Sequence, residues 1–156
     1  MSYDMRLERL VDAQPEVAFD SFVDPEAQHQ LYAEEPNWIV ESECDLRIGG
    51  HWTISFGPPQ AGRWREANVF KEIIRPRRLS YSSTMTRPDG SIVETEIEVT
   101  FEIEDEGTRV TVVQRGFPTD ELRDSFTGGW ASALDQLGRV VHAKANGPSG
   151  KARGGG

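Results

Sequence analysis

The sequence predicts an α+β domain in which a curved antiparallel sheet of about six or seven strands holds one long C-terminal helix. Three observations lead there. Strand-like alternation fills most of residues 38–115, and two short helical segments follow a first strand near the N-terminus. From Thr119 to about Ala143, Leu122, Phe126, Trp130, Ala133, Leu134, Leu137 and Val141 recur at steps of three and four, the signature of one apolar helical stripe.

Each element has its own warrant. Residues 5–11 alternate, with Met5, Leu7 and Arg9 sharing a face. Pro15 opens a short helix that turns Val17, Ala18, Phe19 and Phe22 inward, and Asp24-Pro25 introduces a second over residues 26–32. Neither is long enough to be stable alone, so both must pack on the sheet. In the next strand Trp38, Val40, Ser42, Cys44 and Leu46 take one parity; after the Gly49-Gly50 turn, Trp52, Ile54 and Phe56 share a face. Strands follow over residues 63–74 and 78–85. The cleanest alternation runs from Ile92 to Ile103, with Thr95, Ile97, Val99 and Phe101 on one side and Glu94, Glu96, Glu98 and Glu102 on the other. Asp105-Glu106-Gly107 turns into a last strand, whose Arg109 and Arg115 suit the acidic face of its neighbour. One wet and one dry sheet face is what a helix covering a single side requires. Thr119 is a good N-cap for that helix, with Asp120 and Glu121 suited to its first turn.

The bulk numbers bound the function. With 156 residues the chain is read as one domain over 1–144, followed by a Gly-rich tail at 145–156 that is expected to lack order. Against 17 Lys plus Arg stand 26 Asp plus Glu, a formal charge of −9, which disfavours nucleic acid and an anionic membrane surface as partners. No signal peptide and no membrane-length apolar run are visible, so a cytoplasmic protein is expected. Cys44 is the single cysteine, and His29, His51 and His142 are not at metal-ligand spacing, so neither a metal nor any other cofactor is expected. A Gly-x-Ser-x-Gly elbow, a phosphate loop and a dinucleotide fingerprint are all missing from the sequence.

Five motifs resemble one family. Asp45-Leu-Arg-Ile-Gly-Gly-His-Trp52 is similar to the D-L-R-P-G-G-x-W hairpin of the domain related to the activator of Hsp90 ATPase, within the START/Bet v 1-like (SRPBCC) superfamily. Glu72 to Leu79 resembles its E-V-x-P-P-x-R-L, and Gly107 to Val112 its G-T-R-V/L-T-V/L strand. Gly116-Phe-Pro, and Gly129-Trp130 followed by Ala133-Leu134 and Leu137, resemble the family's helix entry and closing G-W-x-x-A-L-x-x-L. The chain departs from the family at Leu31-Tyr-Ala-Glu-Glu-Pro36, where a W-W-G-P-like segment is common. The resemblance implies a helix-grip fold with a cavity between sheet and helix. It does not imply one activity: relatives bind lipids, hormones or polyketides, some are cyclases or hydrolases, and the namesakes stimulate a chaperone ATPase.

Two sets of candidate residues follow. Trp38, Trp52, Ile54, Phe56, Trp64, Phe70, Tyr81, Phe126, Trp130 and Leu134 are of the right kind to line an apolar ligand site, with a filled core of the same residues as the less favoured alternative. If Trp64 and Phe70 point inward, parity carries Glu66 and Asn68 inward between them. Asn68 is then a polar ligand anchor, and Glu66 a candidate general acid or base, unless a register shift returns it to water. Gly128-Gly129 costs the helix roughly 1 kcal/mol per glycine, which suggests a backbone held close to a neighbour. The leading expectation is a binding protein for a small apolar or amphipathic molecule. A cofactor-free cyclase- or hydrolase-like enzyme in the same cavity is the alternative, and a chaperone partner and a homodimer stay open.

Overall fold

The computed structural model describes residues 2–146, so the expected tail lies outside the described residues except for Ala145 and Asn146. In chain order the elements are β1 (Tyr3–Val11), α1 (Pro15–Phe22), α2 (Pro25–Tyr32), β2 (Ile39–Cys44), β3 (His51–Gly57), β4 (Trp64–Ile74), β5 (Arg78–Thr86), β6 (Ile92–Glu104), β7 (Gly107–Phe117) and α3 (Asp120–Asn146). The seven strands form one antiparallel sheet in the order β1-β7-β6-β5-β4-β3-β2. This is the helix-grip α+β architecture that the sequence predicts.

Local chemistry accounts for the element ends. Asp24 caps α2, its Oδ1 accepting from Glu26 N at 3.0 Å, and Thr119 Oγ1 accepts from Leu122 N at 3.1 Å at the start of α3. At the Gly49-Gly50 turn a Cβ on Gly50 would stand 2.2 Å from the Asp45 carbonyl oxygen, so only glycine fits there.

Alternation sorts the sheet into two faces. On β6, Val93, Thr95, Ile97, Val99 and Phe101 are buried, while Glu94, Glu96 and Glu102 are exposed. The outer ion pairs differ in part from the expected hairpin pattern. Glu98 pairs with Arg78 on β5 and, at 3.9 Å, with Arg115 on β7; Arg109 binds Glu104 and reaches across to Glu8 on β1 at 2.6 Å. Arg109 prefers these two carboxylates to its direct cross-strand neighbour Glu102.

Beneath the sheet, Phe22, Trp52, Phe70 and Tyr81 form a packed aromatic group, with Trp52 at 5.6, 5.7 and 5.4 Å from the other three ring centroids. Helix α3 lies along β1 and against α1 and α2, while α2 also covers β2. From Trp130 onward the apolar stripe of α3 is buried, whereas Leu122 and Phe126 in its first turns are only partly covered. The N-terminal half of α3 thus leaves space between itself and the β2–β4 end of the sheet.

Candidate functional site

That space is a cavity of about 560 Å³. Its sheet wall is Phe56, Trp64, Glu66 and Met85; Leu31, Tyr32, Glu34, Glu35 and Trp38 close the α2 side. Helix α3 contributes Ser125, Phe126, Gly128, Gly129, Trp130, Ser132 and Ala133. Four of the rings form a continuous group: Tyr32 on Phe56 at 5.1 Å, Phe56 stacked on Trp64 at 5.8 Å, and Trp64 stacked on Trp38 at 5.6 Å.

Glu66 is the buried carboxyl of this wall, 7% exposed. Strand parity carries it inward as the sequence suggests, because the one register irregularity of β4 falls at Lys71, between Phe70 and Glu72, beyond the Trp64–Phe70 stretch. Its Oε1 accepts a hydrogen bond from Asn68 Nδ2 at 3.0 Å and another from the Tyr32 hydroxyl at 3.5 Å. Burial pushes the Glu66 carboxyl above its ordinary range, and these two donors oppose that rise without cancelling it. The Tyr32 hydroxyl is likewise pushed up, first by burial and then by the charge of Glu66; Tyr81 rises for the same two reasons. The carboxyl therefore keeps its proton to a higher pH than a solvated glutamate, and both phenols stay protonated at neutral pH.

A second polar chain runs alongside. Trp130 Nε1 donates to Gln114 Oε1 at 2.7 Å, and Gln114 Nε2 donates to Thr95 Oγ1 at 2.8 Å. Direct cross-strand pairing puts Asn68 beside Ser83 and Ser83 beside Thr95. A buried row of polar side chains thus crosses the inner face of the sheet. Two of its neighbours, Asn68 Oδ1 and the Tyr81 hydroxyl, are buried without a hydrogen-bond partner among the described residues.

Of the aromatic and aliphatic candidates, Trp38, Phe56, Trp64, Phe126 and Trp130 line the cavity. Trp52, Ile54, Phe70, Tyr81 and Leu134 are instead buried in the core, and Asn68 sits behind Glu66. The sequence shows which side chains face inward; it does not show how far along the sheet the helix rests, which decides between core and wall. Sequence reasoning passed over Met85, Ser125, Ser132 and Gln114. Gln114 shares the inward parity of Val110 and Val112, and that signal was available.

The glycine pair is not a close-packing device. A Cβ added to Gly128 or Gly129 meets nothing within 4 Å, so close packing does not require either glycine. Both residues are exposed and border the cavity, where they leave bare backbone in its wall.

Other chemistries find little support. Among the described residues no group of three or more His, Cys, Asp or Glu is placed to hold a metal, and no helix is long and apolar enough to cross a membrane. Burial, with the charge of Asp45 adding to it, pushes the Cys44 thiol up to about 11, which leaves a poor nucleophile.

Solved structures with the same fold include proteins from Chromobacterium violaceum (TM-score 0.77, 22% identity, 88% of this chain and 96% of that one) and Rhizobium leguminosarum (0.78, 20%, 91% and 95%). An AHSA1-like protein from Aeromonas hydrophila is similar too (0.73, 22%, 92% and 94%). At these identities the likeness concerns the fold. No curated protein matches the chain. The family model described as Activator of Hsp90 ATPase homolog 1-like protein matches residues 12–142, nearly the whole described domain, and the chain belongs to that family.

Proposed function

We propose that this protein binds a small apolar or amphipathic molecule in the cavity between α3, α2 and the β2–β4 end of the sheet. The observation that carries the reading is the cavity of about 560 Å³, walled by stacked aromatic rings with one buried carboxyl among them. Ligand sites have this composition: mostly apolar surface with a few fixed polar groups. The glycine pair adds support, since it weakens α3 where the helix borders the cavity and relieves no clash.

Gly129→Leu is the direct test. Gly129 borders the cavity and nothing stands within 4 Å of an added Cβ, so a leucine there displaces no core residue. Apolar and amphipathic compounds that raise the melting temperature of the wild type are expected to lose that effect in the folded variant. If no such compound stabilises the wild type, or if the stabilisation survives in Gly129→Leu, the cavity is not a binding site.

A second reading, a cofactor-free enzyme, is favoured by the Glu66 carboxyl, which holds its proton above the ordinary range while touching the Tyr32 hydroxyl inside the same cavity. In that reading Glu66→Gln abolishes turnover of a compound that the folded variant still binds at saturating concentration. Unchanged turnover in that variant sinks it.

A further inference from the structure

We propose that the cavity is selective for organic cations, so that its ligand carries a quaternary or protonated amine on an apolar body. This rests on the binding reading above and narrows its ligand class.

The sign of the charge inside the cavity is the first observation. Its lining holds three acidic side chains, Glu34, Glu35 and Glu66, and no Lys, Arg or His. Arg63, next in sequence to the wall residue Trp64, is bound to Glu41 Oε1 at 3.1 Å. A fatty acid or an anionic phospholipid head would enter without a counter-charge and past the acidic side chains Glu34 and Glu35 at the edge. The net charge of −9 adds a long-range field of the same sign.

The second observation is the ring group. Tyr32, Phe56, Trp64 and Trp38 pack one on the next along one side of the cavity, with Trp130 on the α3 side. Aromatic faces attract cations through their quadrupole, most strongly for Trp and most strongly where water is excluded. A wall of rings would serve a neutral hydrocarbon as well; rings combined with carboxyl groups favour a cation.

The third is the way in which Glu66 is held. Among the described residues both hydrogen bonds to this carboxyl arrive at Oε1, from Asn68 and Tyr32, and Oε2 receives none. One oxygen fixes the orientation of the group, and the other is left for a ligand in contact with the wall. Glu34 and Glu35 are exposed at the cavity edge, placed to attract a cation from solvent.

Three matched probes test this by calorimetry or tryptophan fluorescence: benzyltrimethylammonium, its neutral carbon isostere neopentylbenzene, and the anion phenylacetate. Benzyltrimethylammonium is expected to bind at least about tenfold more tightly than neopentylbenzene, and phenylacetate most weakly. Glu66→Gln, and separately Glu34→Gln with Glu35→Gln at the exposed edge, should each lower the cation's affinity several-fold and change that of neopentylbenzene far less. The edge pair keeps the test informative if Glu66→Gln alters folding, which circular dichroism reports. Neopentylbenzene binding as tightly as the cation overturns cation selectivity and leaves the binding reading standing. Failure of all three probes to bind overturns both.

Discussion

The Trp130 indole donates to Gln114 Oε1 at 2.7 Å, and this one bond ties helix α3 to the inner face of β7 at the point where the cavity ends and the packed core begins. Gln114 passes the contact on to Thr95, so the bond belongs to a buried row in which each polar group depends on the next. Trp130→Phe keeps an aromatic ring, though a smaller one, and orphans the Gln114 oxygen. A loss of about 1–3 kcal/mol in urea unfolding is expected, the penalty for a buried acceptor left unpaired. Adding Gln114→Leu to that variant should recover part of the loss; strict additivity of the two changes would show that the bond contributes nothing.

The buried carboxyl gives a pH signature. Because burial raises the folded-state value of Glu66 above its ordinary 4.5, the folded chain binds more protons than the unfolded one over that interval. The resulting contribution is complete below the unfolded value and is lost as pH rises through the raised one, with a slope of at most about 1.4 kcal/mol per pH unit. Glu66→Gln should flatten this part of the profile and gain stability relative to wild type toward neutral pH. Melting curves from about pH 4 to about pH 8 check it, and parallel curves for the two proteins would contradict the assignment.

The tryptophans should divide into two kinds. Trp52 is fully buried among Phe22, Phe70 and Tyr81, and Trp52→Ala is expected to cost about 3–5 kcal/mol. Trp64 is half-buried at the cavity, so Trp64→Ala should cost about half of that or less while removing ligand binding. Equal stability losses in the two variants would mean that the cavity is packed as tightly as the core.

The glycine pair allows the reverse experiment. Gly128→Ala and Gly129→Ala should each stabilise the protein by about 1 kcal/mol, since helix propensity improves and no neighbour is displaced. Ligand affinity should fall in the same variants as methyl groups enter the cavity. A destabilised alanine variant would instead restore the close-packing explanation.

The fold was legible because its signals are local. Alternation along β6 and the stripe of α3 follow from periods of two and 3.6, and parity along β4 placed Glu66 correctly because the bulge at Lys71 comes after it. The site was legible only in part because it depends on distances that no period encodes. Tyr32 and Glu66 are brought together from elements separated by two strands of sequence, and whether Trp52 or Trp64 borders the cavity depends on where α3 comes to rest. The cost of Gly128-Gly129 was readable in the sequence, but the empty space beside the pair was not.

The pairing of β1 with β7 has a kinetic consequence. Tyr3 lies opposite Phe117 and Val11 opposite Thr108, and α3 then rests on β1. An edge strand made early in synthesis must wait for one made late, so its ladder closes over a long intervening loop at a high entropic cost. The domain should therefore fold slowly for its size and only after nearly all of its strands have left the ribosome. Until α3 follows them out, β1, α1 and α2 lack the helix that packs against all three, and a chain stalled before α3 leaves those apolar surfaces open.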